Sequence, residues 1–151
     1  MDKSYSQSFE ITGNNFFDAG KAATEVKMIL KQIGINSDII RRVAIASYEA
    51  EMNVVMYAKR ASMTIEISQE KIKIVVDDEG PGIQNIELAM KEGYSTATTE
   101  MREMGFGAGM GLPNIKRNAD HLKIESEVGK GTKVEFVIEL KESARGGSKE
   151  R

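Results

Sequence analysis

Near the end of the chain, Thr132, Val134, Phe136, Ile138 and Leu140 alternate without a break with Lys133, Glu135, Val137, Glu139 and Lys141. Successive side chains of a strand point to opposite faces, so this period of two builds a strand with one apolar face and one largely wetted face. Such a sheet needs cover on one side only, which excludes a fully enclosed parallel sheet and leaves an open, mostly antiparallel one. The same alternation recurs upstream. In "MTIEIS", Met63, Ile65 and Ile67 oppose Thr64, Glu66 and Ser68, and "KIKIVVDDEG" repeats the pattern with Ile72, Ile74 and Val76. The short "QE" between these runs predicts a hairpin. "HLKIESEVGKGTKVEFVIEL" predicts a second hairpin, and Tyr5, Phe9 and Ile11 of "SYSQSFEITG" predict a short strand ending at Gly13.

The cover has to come from helices. "NNFFDAGKAATEVKMILKQIG" places Phe16, Ala19, Ala23, Val26, Leu30 and Ile33 three or four apart, with Asn14 or Asn15 as cap and Gly34 as stop. A second helix is expected over "DIIRRVAIASYEAEMNVVMYAK", capped by Ser37, with Ile40, Val43, Ser47, Ala50 and Val54 on its apolar stripe. "LPNIKRNAD" opens a third, with Pro113 allowed only in the first turn. The expected fold class is therefore α+β: a two-layer α/β sandwich with a mostly antiparallel, mixed sheet and helices on one face. Residues 1–141 form one domain, and the polar run 142–151 has no core to join and is expected to be disordered.

Bulk properties narrow the function. Apolar residues make up 40% and charged residues 29% of the 151, with a net charge of −2 and signs interspersed, which gives no footprint for electrostatic binding to nucleic acid. The chain has no cysteine and a single histidine, His121, so thiolate chemistry and multi-histidine metal sites are excluded. Without a signal-like start or a long apolar run, neither secretion nor a membrane partner is expected, and a cytoplasmic location follows. His121 reads as a strand-entry residue.

Three features carry chemistry. The first is "GFGAGMGL", where Gly105, Gly107, Gly109 and Gly111 are spaced by two directly before a helix-like run. Each glycine costs about 0.5–1 kcal/mol relative to alanine inside a helix. A linker would be polar and serine-rich, whereas here Phe106, Met110 and Leu112 lie between and after the glycines. The alternative is an object that approaches the backbone too closely for side chains, and a phosphate chain is the commonest. The second is "EAEMN": Glu49 and Asn53 share a helix face, about 40° apart around the axis. A carboxamide oxygen suits Mg²⁺, and a carboxylate beside it suits the orientation or deprotonation of a nucleophile. Glu51 points nearly opposite to Asn53 and is expected to be a solvated acid. The third is "DDEGPGI", where Asp78 follows a buried strand and Gly80 and Gly82 bracket Pro81 in a turn. A buried carboxylate there could accept a hydrogen bond from an exocyclic amine. Alternation favours Asp78 over Asp77 only if the strand stays regular to its end.

Taken together, in this order, these motifs resemble the Bergerat-fold (GHKL) ATP-binding family, which includes gyrase, heat-shock ATPases of the ninety-kilodalton class, mismatch-repair ATPases and histidine kinases. Glu49–Asn53 is similar to that family's N box. Asp78, Gly80 and Gly82 are similar to its first glycine box, "GFGAGMGL" to its second, and "GKGT" at Gly129–Thr132 to its terminal element, so the resemblance spans roughly residues 5–140. It implies that Asp78 accepts from the adenine amino group, supported by the Thr132 hydroxyl directly or through water. It further implies that Asn53 ligates Mg²⁺, that Glu49 is the general base, and that the backbone around Gly105, Gly107, Gly109, Gly111 and Leu112 meets the phosphates of ATP. The segment from Gly93 to Met104 becomes an ATP lid. A single domain of this size with no room for a phospho-accepting helical hairpin upstream of Ser8 looks most like the anti-sigma-factor serine/threonine kinases. That likeness implies a sigma factor and a serine-bearing STAS-domain antagonist as partners and admits a homodimer. A stand-alone histidine-kinase-like ATPase domain and a non-catalytic, nucleotide-gated binding module are the alternatives. Tyr57 stands where many relatives continue the N box with His or Arg.

Overall fold

The computed structural model describes residues 4–91 and 111–140. In chain order these form β1 (Tyr5–Thr12), a 3-10 turn (Phe16–Asp18), α1 (Lys21–Ile33), α2 (Ser37–Tyr57), β2 (Arg60–Ile67), β3 (Lys71–Glu79), the single turn α3 (Ile86–Ala89), α4 (Gly111–Asn118), β4 (His121–Glu127) and β5 (Gly131–Glu139). The expected lid, together with Gly105, Gly107 and Gly109, lies outside the described residues, as does the tail.

The sheet has five strands in the order β1-β2-β3-β5-β4, and all of its pairings are antiparallel. Its register places apolar side chains opposite one another, as in Ile65↔Ile74, Ile74↔Phe136 and Val76↔Val134. These face α1, α2 and α4, whose Val26, Leu30, Val43, Ala46, Val54 and Ile115 complete the core. Burying each large aliphatic side chain contributes about 1.5–3 kcal/mol, and this layer is the main source of stability. The other face is polar, with Ser8 and Thr64 hydroxyls 2.9 Å apart and Lys73 3.6 Å from Glu66. In the β2–β3 hairpin the Ser68 hydroxyl accepts from the Glu70 and Lys71 amides. His121 opens β4, as expected, and pairs with Glu139 at 2.7 Å.

At the far end, Arg42 ties α2 to the α4–β4 junction, donating to the Asn118 carbonyl and to Asp120. Asp120 in turn accepts from the Glu139 amide at 2.7 Å. Burial works to raise the Asp120 carboxyl, but that amide and the Arg42 guanidinium prevail and hold it below the usual range. Among the described residues, no helix is long and apolar enough to cross a membrane.

The helix starts differ from the expected ones. α1 begins at Lys21 and not at the asparagines, because Gly20 takes a left-handed φ of +97° and breaks the run. Asn15 instead caps the 3-10 turn, accepting from the Asp18 amide. α2 is capped by Asn36, whose carboxamide oxygen accepts from the Asp38 amide at 2.8 Å, and Ser37 is its first helical residue. Asn36 wins because its side chain reaches the second helical amide from just outside the helix, the geometry a cap requires.

Candidate nucleotide site

β3 lies between β2 and β5 in the sheet and stays regular through Glu79. Asp78 therefore falls on the same face as Ile74 and Val76, while Asp77 is exposed opposite Lys133. Asp78 is thus the inward-facing acid of the two. One oxygen, Oδ1, accepts from the Thr132 amide at 2.9 Å. Burial pushes the Asp78 carboxyl above the ordinary range; the Thr132 amide pulls against it and the Asp77 charge adds to it. The Thr132 hydroxyl makes no direct bond to Asp78 and pairs with Ser126 Oγ at 2.8 Å. Ser126 also accepts from the Ile83 amide at 2.7 Å, which fixes the turn after Asp78.

Two glycines let these backbones meet. A Cβ on Gly131 would fall 2.0 Å from the Asp78 carbonyl oxygen, and one on Gly82, at φ +80°, would fall 2.5 Å from the Glu127 carbonyl oxygen. Gly80 sits beside Asp78 Oδ1 and Ala58, just past the end of α2.

The second half of the site is built on α2 and α4. Asn53 and the start of α4 are in close approach: a Cβ on Gly111 would lie 3.1 Å from Asn53 Oδ1. One turn into α4, Asn114 Nδ2 donates to Glu49 Oε2 at 3.0 Å, so α4 holds the Glu49 carboxylate on the face it shares with Asn53. Leu112 is 7% exposed and packs in the core, so its side chain anchors the helix and only its backbone could meet a ligand. Glu51 corrects the expectation of a solvated acid. It is 2% exposed and accepts from the amides of Gly20 (3.0 Å), Ala22 (3.2 Å) and Ala23 (2.9 Å), capping α1 from a neighbouring helix.

The residues present suit a magnesium nucleotide. Among the described residues there is no cluster of three acidic or histidine side chains for a metal, so an ion here would take one carboxamide oxygen plus substrate oxygens and water, the habit of Mg²⁺. The Asn53 side chain has no hydrogen-bond partner among the described residues. Gly111, without a side chain, keeps the α4 backbone open where Asn53 faces it.

The family model described as "Histidine kinase-like ATPase domain" matches residues 18–138. The chain belongs to this family. Two curated relatives place the histidine kinase-like ATPase domain among small regulators. The serine/threonine-protein kinase RsbT of Bacillus subtilis (strain 168) is 30% identical over 113 residues, 72% of this chain and 79% of the relative. An anti-sigma F factor of Thermoanaerobacter sp. (strain X514) is 36% identical over 121 residues, 77% of this chain and 81% of the relative. A crystal structure of RsbU and RsbW domains from Mycobacterium tuberculosis shares the fold, with a TM-score of 0.57 at 13% identity. It covers 87% of this chain, which spans only 32% of that one. The resemblance read from the four motifs is borne out at the level of family and fold, and membership implies the use of ATP.

Two residues of this domain, Ser126 and Asn114, escaped the reading from sequence, and Glu51 was read in another role. Ser126 was within reach, since alternation puts it inward with Ile124, opposite Thr132. Asn114 and Glu51 act across 65 and 28–31 residues of chain, and no local pattern announces such contacts.

Proposed function

We propose that this chain is an ATP-dependent protein serine/threonine kinase and anti-sigma factor that transfers the γ-phosphoryl group of ATP to a serine of a STAS-domain antagonist in the cytoplasm. The observation that carries the reading is the pairing of Glu49 and Asn53 on one helix face, with α4 touching both: Asn114 on the carboxylate and Gly111 beside the carboxamide. The names of the relatives support it, one a serine/threonine kinase and others anti-sigma F factors.

In this reading Asp78, held by the Thr132 amide, accepts from the adenine amino group through its ionised carboxylate. Asn53 Oδ1 would hold Mg²⁺, and the chemistry such an ion would supply is neutralisation of charge on the phosphates. The α4 start and the glycines before it bring backbone amides to the phosphates, where the helix dipole favours negative charge. Glu49 takes the proton of the acceptor serine as its oxygen bonds to the γ-phosphorus and ADP departs. Asn114 keeps that carboxylate from rotating away. A sigma factor is the chain's other partner in this reading.

Incubation with γ-labelled ATP and a serine-bearing STAS-domain protein tests the reading. Acid-stable phosphoserine on the acceptor is expected. Acid-labile phosphohistidine would support the histidine-kinase-like alternative, and nucleotide binding without transfer or phosphate release would support the gated binding module.

A further inference from the structure

Three polar side chains follow one another across the sheet on its inner face: Asp78 on β3, Thr132 bonded to it from β5, and Ser126 opposite Thr132 on β4. Asp78 Oδ1 is taken by the Thr132 amide, whereas Oδ2 has no partner among the described residues. That oxygen is not sealed off, since the one buried side-chain oxygen or nitrogen left without a partner among those residues is Ser47 Oγ. Thr132 is 8% exposed, and its hydroxyl bonds only to Ser126 among the described residues. A hydroxyl has one proton and two lone pairs, so the direction of this bond decides whether Thr132 keeps a proton to give beside Asp78.

Ser126 sets that direction. Its Oγ accepts from the Ile83 amide at 2.7 Å, and a backbone N–H can only donate, so one lone pair is committed. Its single proton has two possible acceptors, Thr132 Oγ1 at 2.8 Å and the Gly131 carbonyl at 3.2 Å. The first distance is ordinary for an O–H···O bond and the second lies beyond the usual range, so the proton goes to Thr132. Thr132 then accepts, and its own proton is left for a ligand.

We propose that Ser126 is a positioning residue that fixes which base the site reads: it makes the Thr132 hydroxyl a donor next to the Asp78 acceptor, a pair that matches a ring edge with an exocyclic amine beside an unprotonated ring nitrogen. This rests on the reading of Asp78 as the acceptor of the adenine amino group and deepens it. The 6-amino group and N1 of adenine form such an edge, met directly or through one water. With the bond from Ser126 reversed, Thr132 would offer lone pairs only, and the two residues would suit an edge of two donors, such as N1–H and the 2-amino group of guanine. Glu49, Asn53 and Asn114 take no part in this selection, so it can be measured apart from phosphoryl transfer.

Calorimetric titration of the full chain, in magnesium, with ADP and two analogues tests it. 1-Deaza-ADP has C–H in place of N1, and the diphosphate of purine riboside lacks the 6-amino group. The wild type should bind each analogue about tenfold more weakly than ADP, because each leaves one polar group of the site unmatched. In Ser126→Ala the Thr132 hydroxyl is free to turn, so the penalty for 1-deaza-ADP should shrink to about threefold or less, while that for the purine riboside diphosphate stays about tenfold. Thr132→Val, which keeps the amide on Asp78, should do the same, and Ser126→Thr, which keeps a hydroxyl, should retain the wild-type penalty. A merely structural Ser126 would weaken all three ligands alike. That outcome, or a 1-deaza-ADP penalty equal in the wild type and Ser126→Ala, overturns the proposal. If Ser126→Ala does not melt cooperatively, Thr132→Val and Ser126→Thr decide by the same criteria. A wild type that binds ADP but not in preference to 1-deaza-ADP overturns the proposal and leaves the nucleotide reading standing, whereas a wild type that binds no ADP overturns both.

Discussion

Replacing Glu51 by glutamine should destabilise the protein far more than its place in the sequence suggests. The native carboxylate takes two amides on Oε2 and one on Oε1 in a nearly water-free setting. A glutamine has one acceptor oxygen. If that oxygen takes the Oε2 position, its NH₂ faces the Ala23 amide, donor against donor, and a buried donor left unsatisfied costs about 1–3 kcal/mol. The two surviving bonds change from charge-assisted to neutral, a loss of about 1 kcal/mol each. The favourable meeting of negative charge with the start of α1 is also lost, about 0.3–1 kcal/mol. Relief from burying a charge offsets part of this, leaving a net cost of about 3 kcal/mol, a large share of the 5–15 kcal/mol typical of a domain. For a chain of this length that is a fall in Tm of about 10 °C. Thermal unfolding followed by far-UV circular dichroism measures it, and hydrogen exchange at Gly20, Ala22 and Ala23 should quicken before the rest of α1. A Tm within 2 °C of wild type (on the order of 0.5 kcal/mol), with those amides still protected, would refute the reasoning.

Asp78→Asn should separate stability from function: the neutral side chain can still accept from Thr132 and no longer repels Asp77, so apo-protein Tm should rise. Nucleotide affinity should fall by about 1–3 kcal/mol in calorimetry, because the acceptor of the adenine amine is weakened. The raised Asp78 carboxyl also fixes a pH dependence. An acid whose folded-state value lies above its unfolded one binds more protons when folded, so its burden on stability eases as pH falls through the folded value. Nucleotide affinity, if it needs the ionised form, should decline as pH falls through that raised value, and the decline should be absent in Asp78→Asn. Gly131→Ala should lower stability by about 2–4 kcal/mol in urea unfolding, since its Cβ would overlap the Asp78 carbonyl oxygen and part β5 from β3; a midpoint like that of wild type would contradict the close approach.

Alternation carried most of the fold. Thr132 to Leu140 and Ile72 to Val76 are buried on the face that period two assigned, because a one-residue slip would have turned every one of them to water. The same rule, extended two residues past Val76, placed Asp78 inward. The helical repeat failed for Glu51 because a helical wheel assigns solvent to the side opposite a site, whereas α2 packs against the sheet, α1 and α4. Ala50, Met52, Val54 and Val55, all buried around it, were the available signal that this stretch has no wet face. The pairing of Glu49 with Asn53 needed only the helical repeat. The bond from Asn114 that holds Glu49, and the approach of Gly111 to Asn53, depend on how α4 docks, and docking is a tertiary matter that spacing does not encode. Thr132 was placed correctly near Asp78, but its amide, and not its hydroxyl, makes the bond, since the hydroxyl is drawn to Ser126 across the β4–β5 ladder.

The central claim is that Glu49 is the base and Asn53 the metal ligand of a phosphoryl transfer, and single-turnover transfer from γ-labelled ATP to the STAS-domain acceptor, with nucleotide affinity measured alongside, tests it most directly. Glu49→Gln can still accept from Asn114 and keeps its shape, so ATP affinity should be unchanged while the transfer rate falls about 10²–10⁴-fold. Asn53→Ala should weaken both Mg-ATP binding and transfer. A Glu49→Gln protein that labels the acceptor serine at the wild-type rate would contradict the account and leave Glu49 as a structural acid held by Asn114.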